Sequence, residues 1–237
     1  MKKTILYIMV IALIWGCDQT PPSSITVSVL ADKTDDFIPE PEMVHVRRFM
    51  ENPIYESGKR EFWYGSITNT SVNAQFKAEL LGSDMFENNL KRKNDVDGFF
   101  ESIASHLEHE NGIQREYRNS SIIKPLVAHL HSLKESNSTD KVMLLYSDIL
   151  EASDLLNVYN TKGYLELLEY PDKVIERFRN HVSINDLSGI ELYIIYYPVD
   201  LKDNHLFEQM LLVYRKLFEG SGLSINVGID NPLNPRL

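Results

Sequence analysis

The segment 25–36, ITVSVLADKTDD, places the tightest limit on what this chain can fold into. In its first half, Ile25, Val27, Val29 and Leu30 are separated only by Thr26 and Ser28. This β-branched, uncharged pattern is that of a strand covered on both faces. Such a strand needs helices above and below it, which means an α/β domain. The second half brings Asp32, Thr34, Asp35 and Asp36 together. In open α/β sheets ligands sit beyond the carboxyl ends of the strands, and clustered oxygen donors suit a hard cation. The same residue types are also ordinary turn formers, so the segment gains meaning only from what joins it.

The remaining elements follow from periodicity and punctuation. Residues 41–50, PEMVHVRRFM, predict a short helix with proline in its first turn. Residues 61–67, EFWYGSI, read as a second strand. Residues 72–80, VNAQFKAEL, alternate without a break, which predicts a half-solvated strand pairing with the second as an antiparallel edge hairpin. Residues 82–97 are polar and read as loop. Helices are expected at 97–109 and after Asn119-Ser120-Ser121, where Asn119 or Ser120 would cap and Pro125 would sit in the first turn.

Residues 141–148, KVMLLYSD, repeat the logic of the opening segment: a buried strand that delivers Ser147 and Asp148 at its carboxyl end. A helix at 171–182, a strand at 190–197, a helix at 207–218 and a strand at 223–229 complete the order. The pattern β-α-β-β-α-α-β-α-β-α-β predicts a mainly parallel central sheet with one antiparallel edge strand and helices on both faces.

The amino terminus has another purpose. Lys2 and Lys3 precede an apolar run, 5–15, too short to span a bilayer as a helix. Ile14-Trp15-Gly16-Cys17 resembles the bacterial lipoprotein cleavage box, and Cys17 is the only cysteine in the chain. The resemblance implies a signal peptide at 1–16, lipidation of Cys17, and location in the cell envelope facing the periplasm or the exterior. Residues 17–24 would then be a lipidated cysteine and short tether, followed by a single domain at 25–237. A thiol consumed by lipid leaves none for disulfide or redox chemistry.

The element order resembles the von Willebrand factor A-type domain, a Rossmann-like fold with a hairpin edge strand. In that family an Asp-x-Ser-x-Ser run, a threonine on a later loop and an aspartate after a central strand form a metal-ion-dependent adhesion site. Here Asp32 matches the first ligand, Thr34 stands for the first serine and Asp36 occupies the second serine position. Asp148 matches the late aspartate, and Ser121, or its neighbour Ser120, is the counterpart of the threonine. The resemblance implies a non-enzymatic module that binds a protein partner, with Mg²⁺ at Asp32, Thr34, Asp36, Ser121 and Asp148.

Other classes are weaker. A net charge of −10 argues against a nucleic-acid partner, which calls for a basic face. Lys91-Arg92-Lys93 is the one basic triple and reads as a solvated loop. His106 and His109 share a helix face, but their spacing is one short of the His-Glu-x-x-His zinc motif. No Gly-x-Ser-x-Gly elbow or phosphate-binding loop occurs. The alternative is a metal-dependent phosphoester hydrolase built on the same carboxylates, for which Lys33 is the only nearby cation at these strand ends. A third reading is a structural envelope lipoprotein whose carboxylates only cap helices.

Overall fold

A computed structural model describes residues 22–67, 72–84, 87–113 and 119–229, those at 72–74 through their backbone only. The expected signal peptide, Cys17 and most of the tether lie outside the described residues. The strands are β1 (Ile25–Asp32), β2 (Arg60–Ile67), β3 (Val72–Leu80), β4 (Asp140–Tyr146), β5 (Ile190–Ile195) and β6 (Ser224–Val227). The helices are α1 (Met43–Met50), α2 (Asn89–Asn111), α3 (Ile123–Lys134), α4 (Thr161–Glu169), α5 (Pro171–Arg179) and α6 (Leu201–Leu217).

These elements form an α/β fold of the Rossmann-like class around one six-stranded sheet of order β3-β2-β1-β4-β5-β6. All neighbours are parallel except β2 and β3, which form the expected antiparallel hairpin with a register shift between Gly65 and Ile67. All eight residues of β1 are buried, as its composition requires of the strand flanked by β2 and β4. After β1 the chain builds β2 and β3 on one side, then crosses to β4 on the other. That reversal opens a crevice at the carboxyl ends of β1 and β4.

Helix boundaries depart from expectation where solvent hides the apolar period. α2 begins at Asn89 inside the stretch expected to be loop, because its first turns are polar and mostly exposed. They are held from outside: the Arg92 guanidinium donates to the carbonyls of Leu81, Glu56 and Gly58. One helix was expected between β4 and β5, and two are found. The first, α4, carries Gly163 near its start, where a Cβ would lie 2.0 Å from the Asn157 carbonyl oxygen. Glycine there serves close backbone packing rather than helix breaking. Pro171, which cannot continue a helix, separates α4 from α5. α6 starts earlier than expected, at Leu201, because the Asp200 side chain caps it through the Asp203 N–H at 2.8 Å.

His106 is a packing group, while His109 is exposed. His106 stacks on Phe76 at 4.1 Å and meets Tyr64 edge-on at 4.8 Å. Burial lowers its pKa from the ordinary value of 6.5.

Candidate functional site

The crevice is built on Asp32, the last residue of β1, whose side chain is 1% exposed. One carboxylate oxygen, Oδ1, accepts from the Thr34 amide at 3.0 Å and the Thr34 hydroxyl at 2.6 Å. The other, Oδ2, accepts from the Ser120 hydroxyl at 3.2 Å and the Ser147 hydroxyl at 3.0 Å. Three separate segments therefore converge on one carboxylate, and its acceptor capacity is filled. Burial raises the Asp32 pKa, and these four donors oppose the rise.

Asp148 stands on the turn after β4. Its Oδ1 accepts from the Leu150 amide at 2.8 Å and its Oδ2 from the Tyr159 hydroxyl at 3.0 Å. Burial, and next the charge of Asp32, hold its carboxyl well above the usual range. Tyr159 answers in kind, its phenol raised by burial and by Asp148.

The residue after Asp148, Ile149, has φ of 55° and is the only non-glycine residue with positive φ among the described residues. A β-branched side chain in this region is strained by about 1–3 kcal/mol. Hydrogen bonds from Ile149 N to Ser147 Oγ at 2.9 Å and from Leu150 N to Asp148 hold the turn in place. The strain is thus spent on the turn that presents Ser147 and Asp148.

Of the expected ligands, Asp32, Thr34 and Asp148 sit in this crevice. Ser120, not Ser121, reaches Asp32; Ser121 is half-buried beside it and makes no hydrogen bond to Asp32. Asp36 is exposed and makes no hydrogen bond to the cluster, because the turn at 36–38 carries it away from the strand end. Sequence reasoning placed Ser147 on the right turn without giving it a role, and Tyr159 left no signal.

It also missed the cap of α3. Neither Asn119 nor Ser120 caps this helix. Glu151, fully buried, accepts from the Ile122 and Ile123 amides at 3.0 and 3.2 Å, while Ser153 donates to its other oxygen at 2.6 Å. Glu151, following directly on Ile149-Leu150 in the largely apolar stretch 149–156, was the available clue. Burial raises its pKa too, against the pull of these donors.

The oxygens of Asp32, Thr34, Ser120, Ser147 and Asp148 are hard donors of the kind Mg²⁺ takes, and an ion there would have to displace some of the hydrogen bonds that now fill Asp32. A cation there would neutralise the Asp32–Asp148 repulsion. Among the described residues no group of three or more His, Cys, Asp or Glu could hold a metal, so hydroxyls and water would have to supply most of the coordination. Lys33 is engaged elsewhere: its ammonium pairs with Glu40 and donates to the Glu110 carbonyl at 3.3 Å.

Large apolar side chains stand exposed at the same edge of the sheet: Phe37 after β1, Tyr159 after β4, Tyr197 and Val199 after β5, and Leu201 at the start of α6. Burial raises the phenols of both Tyr159 and Tyr196, with Asp148 and Asp203 respectively next, and the charge of Asp35, two residues before Phe37, adds a small part to each. A depression of about 730 Å³ lies at the opposite edge, around the starts of β1, β4 and β5. Its acidic groups are internally paired, with the Tyr55 hydroxyl on Asp140 at 2.9 Å and the Tyr193 hydroxyl on Glu191 at 2.8 Å. The strained turn and buried carboxylates make the carboxyl edge the better candidate.

No protein-family profile matches the chain, and no curated protein matches it in sequence. Among solved structures it is similar to the PilB minor pilin from Streptococcus sanguinis, with a TM-score of 0.45 and 13% identity over 90% of this chain. A single-residue mutant of that pilin gives a TM-score of 0.45 and 13% identity over 89% of this chain. In both cases the match spans 58% of the pilin chain.

Proposed function

We propose that this chain is a lipid-anchored, non-enzymatic binding module of the von Willebrand factor A type. It engages a protein partner through the loops at the carboxyl edge of its sheet, with Mg²⁺ held beside Asp32 and Asp148. The observation that carries this reading is the set of exposed apolar side chains around the buried carboxylates. Phe37 is 67% exposed, Tyr197 62% and Leu201 88%. Apolar side chains grouped on one face of a monomer mark an interaction surface. The strand order with its single antiparallel edge, and the convergence of three loops on Asp32, support the family reading. The engagement of Lys33 by Glu40 and Glu110 counts against a phosphoester hydrolase, which would need a cation free to hold phosphate.

Two measurements test the reading. Calorimetric titration with Mg²⁺ and Mn²⁺ is expected to give one saturable site, abolished by Asp32→Ala and by Asp148→Ala. A photo-crosslinking residue at position 197 is expected to trap a discrete partner in intact cells, while one at position 77 on the edge strand traps none. Turnover of a model phosphate ester that Asp32→Ala abolishes would overturn the binding reading in favour of hydrolysis.

A further inference from the structure

The chain enters the domain at the edge opposite the candidate site. Ser24 and Thr139 exchange hydrogen bonds: Ser24 N donates to Thr139 Oγ1 at 2.9 Å, Thr139 N to Ser24 Oγ at 3.1 Å, and Thr139 Oγ1 to Ser24 O at 2.6 Å. Asp140 N also donates to Ser24 O at 3.0 Å. Ser23 packs so closely on Gly58 that a Cβ there would lie 1.7 Å from the Ser23 carbonyl oxygen. The tether is therefore clasped to the amino-terminal edge of the sheet.

Around this clasp are three exposed apolar side chains, Ile54 at 56%, Leu81 at 67% and Leu90 at 65%. They belong to one laced surface. Arg92 ties the Leu81, Glu56 and Gly58 carbonyls together, and Ser83 N donates to Ser57 O at 2.9 Å.

We infer that this amino-terminal edge rests on the lipid bilayer through Ile54, Leu81 and Leu90, with the candidate site pointing away from the membrane. The inference rests on the reading of Cys17 as the lipid anchor, and lengths decide it. Six peptide steps from Cys17 to Ser23 can reach no more than about 20 Å. The seven steps of β1 from Ile25 to Asp32 rise about 23 Å, and Phe37 and Leu201 stand beyond that. To place the carboxyl edge on the headgroups, Ser23 would have to rise farther than the tether extends. The amino-terminal edge is held close instead, where exposed aliphatic side chains gain by entering the interfacial region. The partner is consequently met on the side facing away from the bilayer.

The test couples residues 17–237 through their sole thiol to a maleimide lipid in phosphatidylcholine–phosphatidylglycerol vesicles, with a soluble maleimide as reference. Amide hydrogen exchange is expected to slow about threefold at 53–59 and 80–83 on vesicles, with no change at 35–38 or 197–201. A variant carrying Ile54→Ser, Leu81→Ser and Leu90→Ser is expected to lose this protection while keeping its circular dichroism. Protection at 197–201, no protection at 53–59, or protection unaffected by the triple substitution would each overturn the inference. The lipid is installed chemically, so failure of the anchor reading shows separately, as cell-derived protein whose amino-terminal peptide carries no lipid on Cys17 by mass spectrometry.

Discussion

Asp32→Ala is expected to destabilise the domain by about 3 kcal/mol, read as a lower midpoint in urea unfolding with an unchanged slope. The carboxylate is the common acceptor for the Thr34 amide and for the hydroxyls of Thr34, Ser120 and Ser147. Alanine leaves the buried Ser120 and Ser147 hydroxyls without an acceptor, beside the half-buried Thr34, and each buried unsatisfied donor is worth about 1–3 kcal/mol. Relief of the buried charge and rotation of the hydroxyls toward one another offset part of the loss. Asp32→Asn is expected to lose only about 1 kcal/mol, because an amide oxygen still serves Thr34 and the serine hydroxyls can turn to accept from its nitrogen. Equal losses for the two variants would mean that the converging loops do not depend on this acceptor.

Asp148→Asn is expected to act the other way, stabilising the domain by about 2 kcal/mol at neutral pH without added cation. Asparagine can keep the bond from the Leu150 amide through its oxygen and donate to the Tyr159 hydroxyl, which turns to accept. It removes a charge that burial and Asp32 both disfavour. The pH dependence follows from the same cause. Folding raises the pKa of Asp32, Asp148 and Glu151. The native state therefore holds protons more tightly than the unfolded chain, and stability falls as pH rises from the unfolded values near 4 through the raised native ones. Lowering pH from 7 toward 5 is expected to raise the urea midpoint of the wild type, and Asp148→Asn to flatten that slope. His106 and His129, whose pKa burial lowers from 6.5, work in the opposite sense within this window and reduce the rise, while Glu166, held low by Arg177, opposes it only below its ordinary value of 4.5. Millimolar Mg²⁺ should stabilise the wild type and leave the asparagine variant unmoved. A destabilised variant at neutral pH would show that Asp148 is needed as a charge even without a cation.

Both effects arise from residues that the chain advertises unequally. Asp32 and Asp148 were legible because each follows an uncharged, largely apolar run, and a run that buries both faces fixes where its first carboxylate emerges. The hairpin was legible from the alternation of β3. The polar start of α2 was not, because solvated turns carry no apolar period and Arg92 secures them by contacts distant in sequence. Between Ser120 and Ser121 the sequence left a choice: nothing local distinguishes two consecutive serines, and only the approach of the segment before α3 to β1 brings the Ser120 hydroxyl to Asp32. Asp36 fitted the spacing of the family motif, yet the turn after β1 leaves it in solvent.

The sequence by itself determined that the chain builds a parallel sheet with one antiparallel edge, and that two strands deliver aspartate at their carboxyl ends. Those features depend on the residues within each segment and on the period of their burial. Only the tertiary structure decided that Ser120, Ser147 and Thr34 would share Asp32, that Glu151 would cap α3, and that Ile149 would take a strained turn. Only it placed the tether and the candidate site at opposite edges. Each of these is a contact between segments far apart in the chain, set by strand order and by the direction of the crossover, which no local pattern encodes.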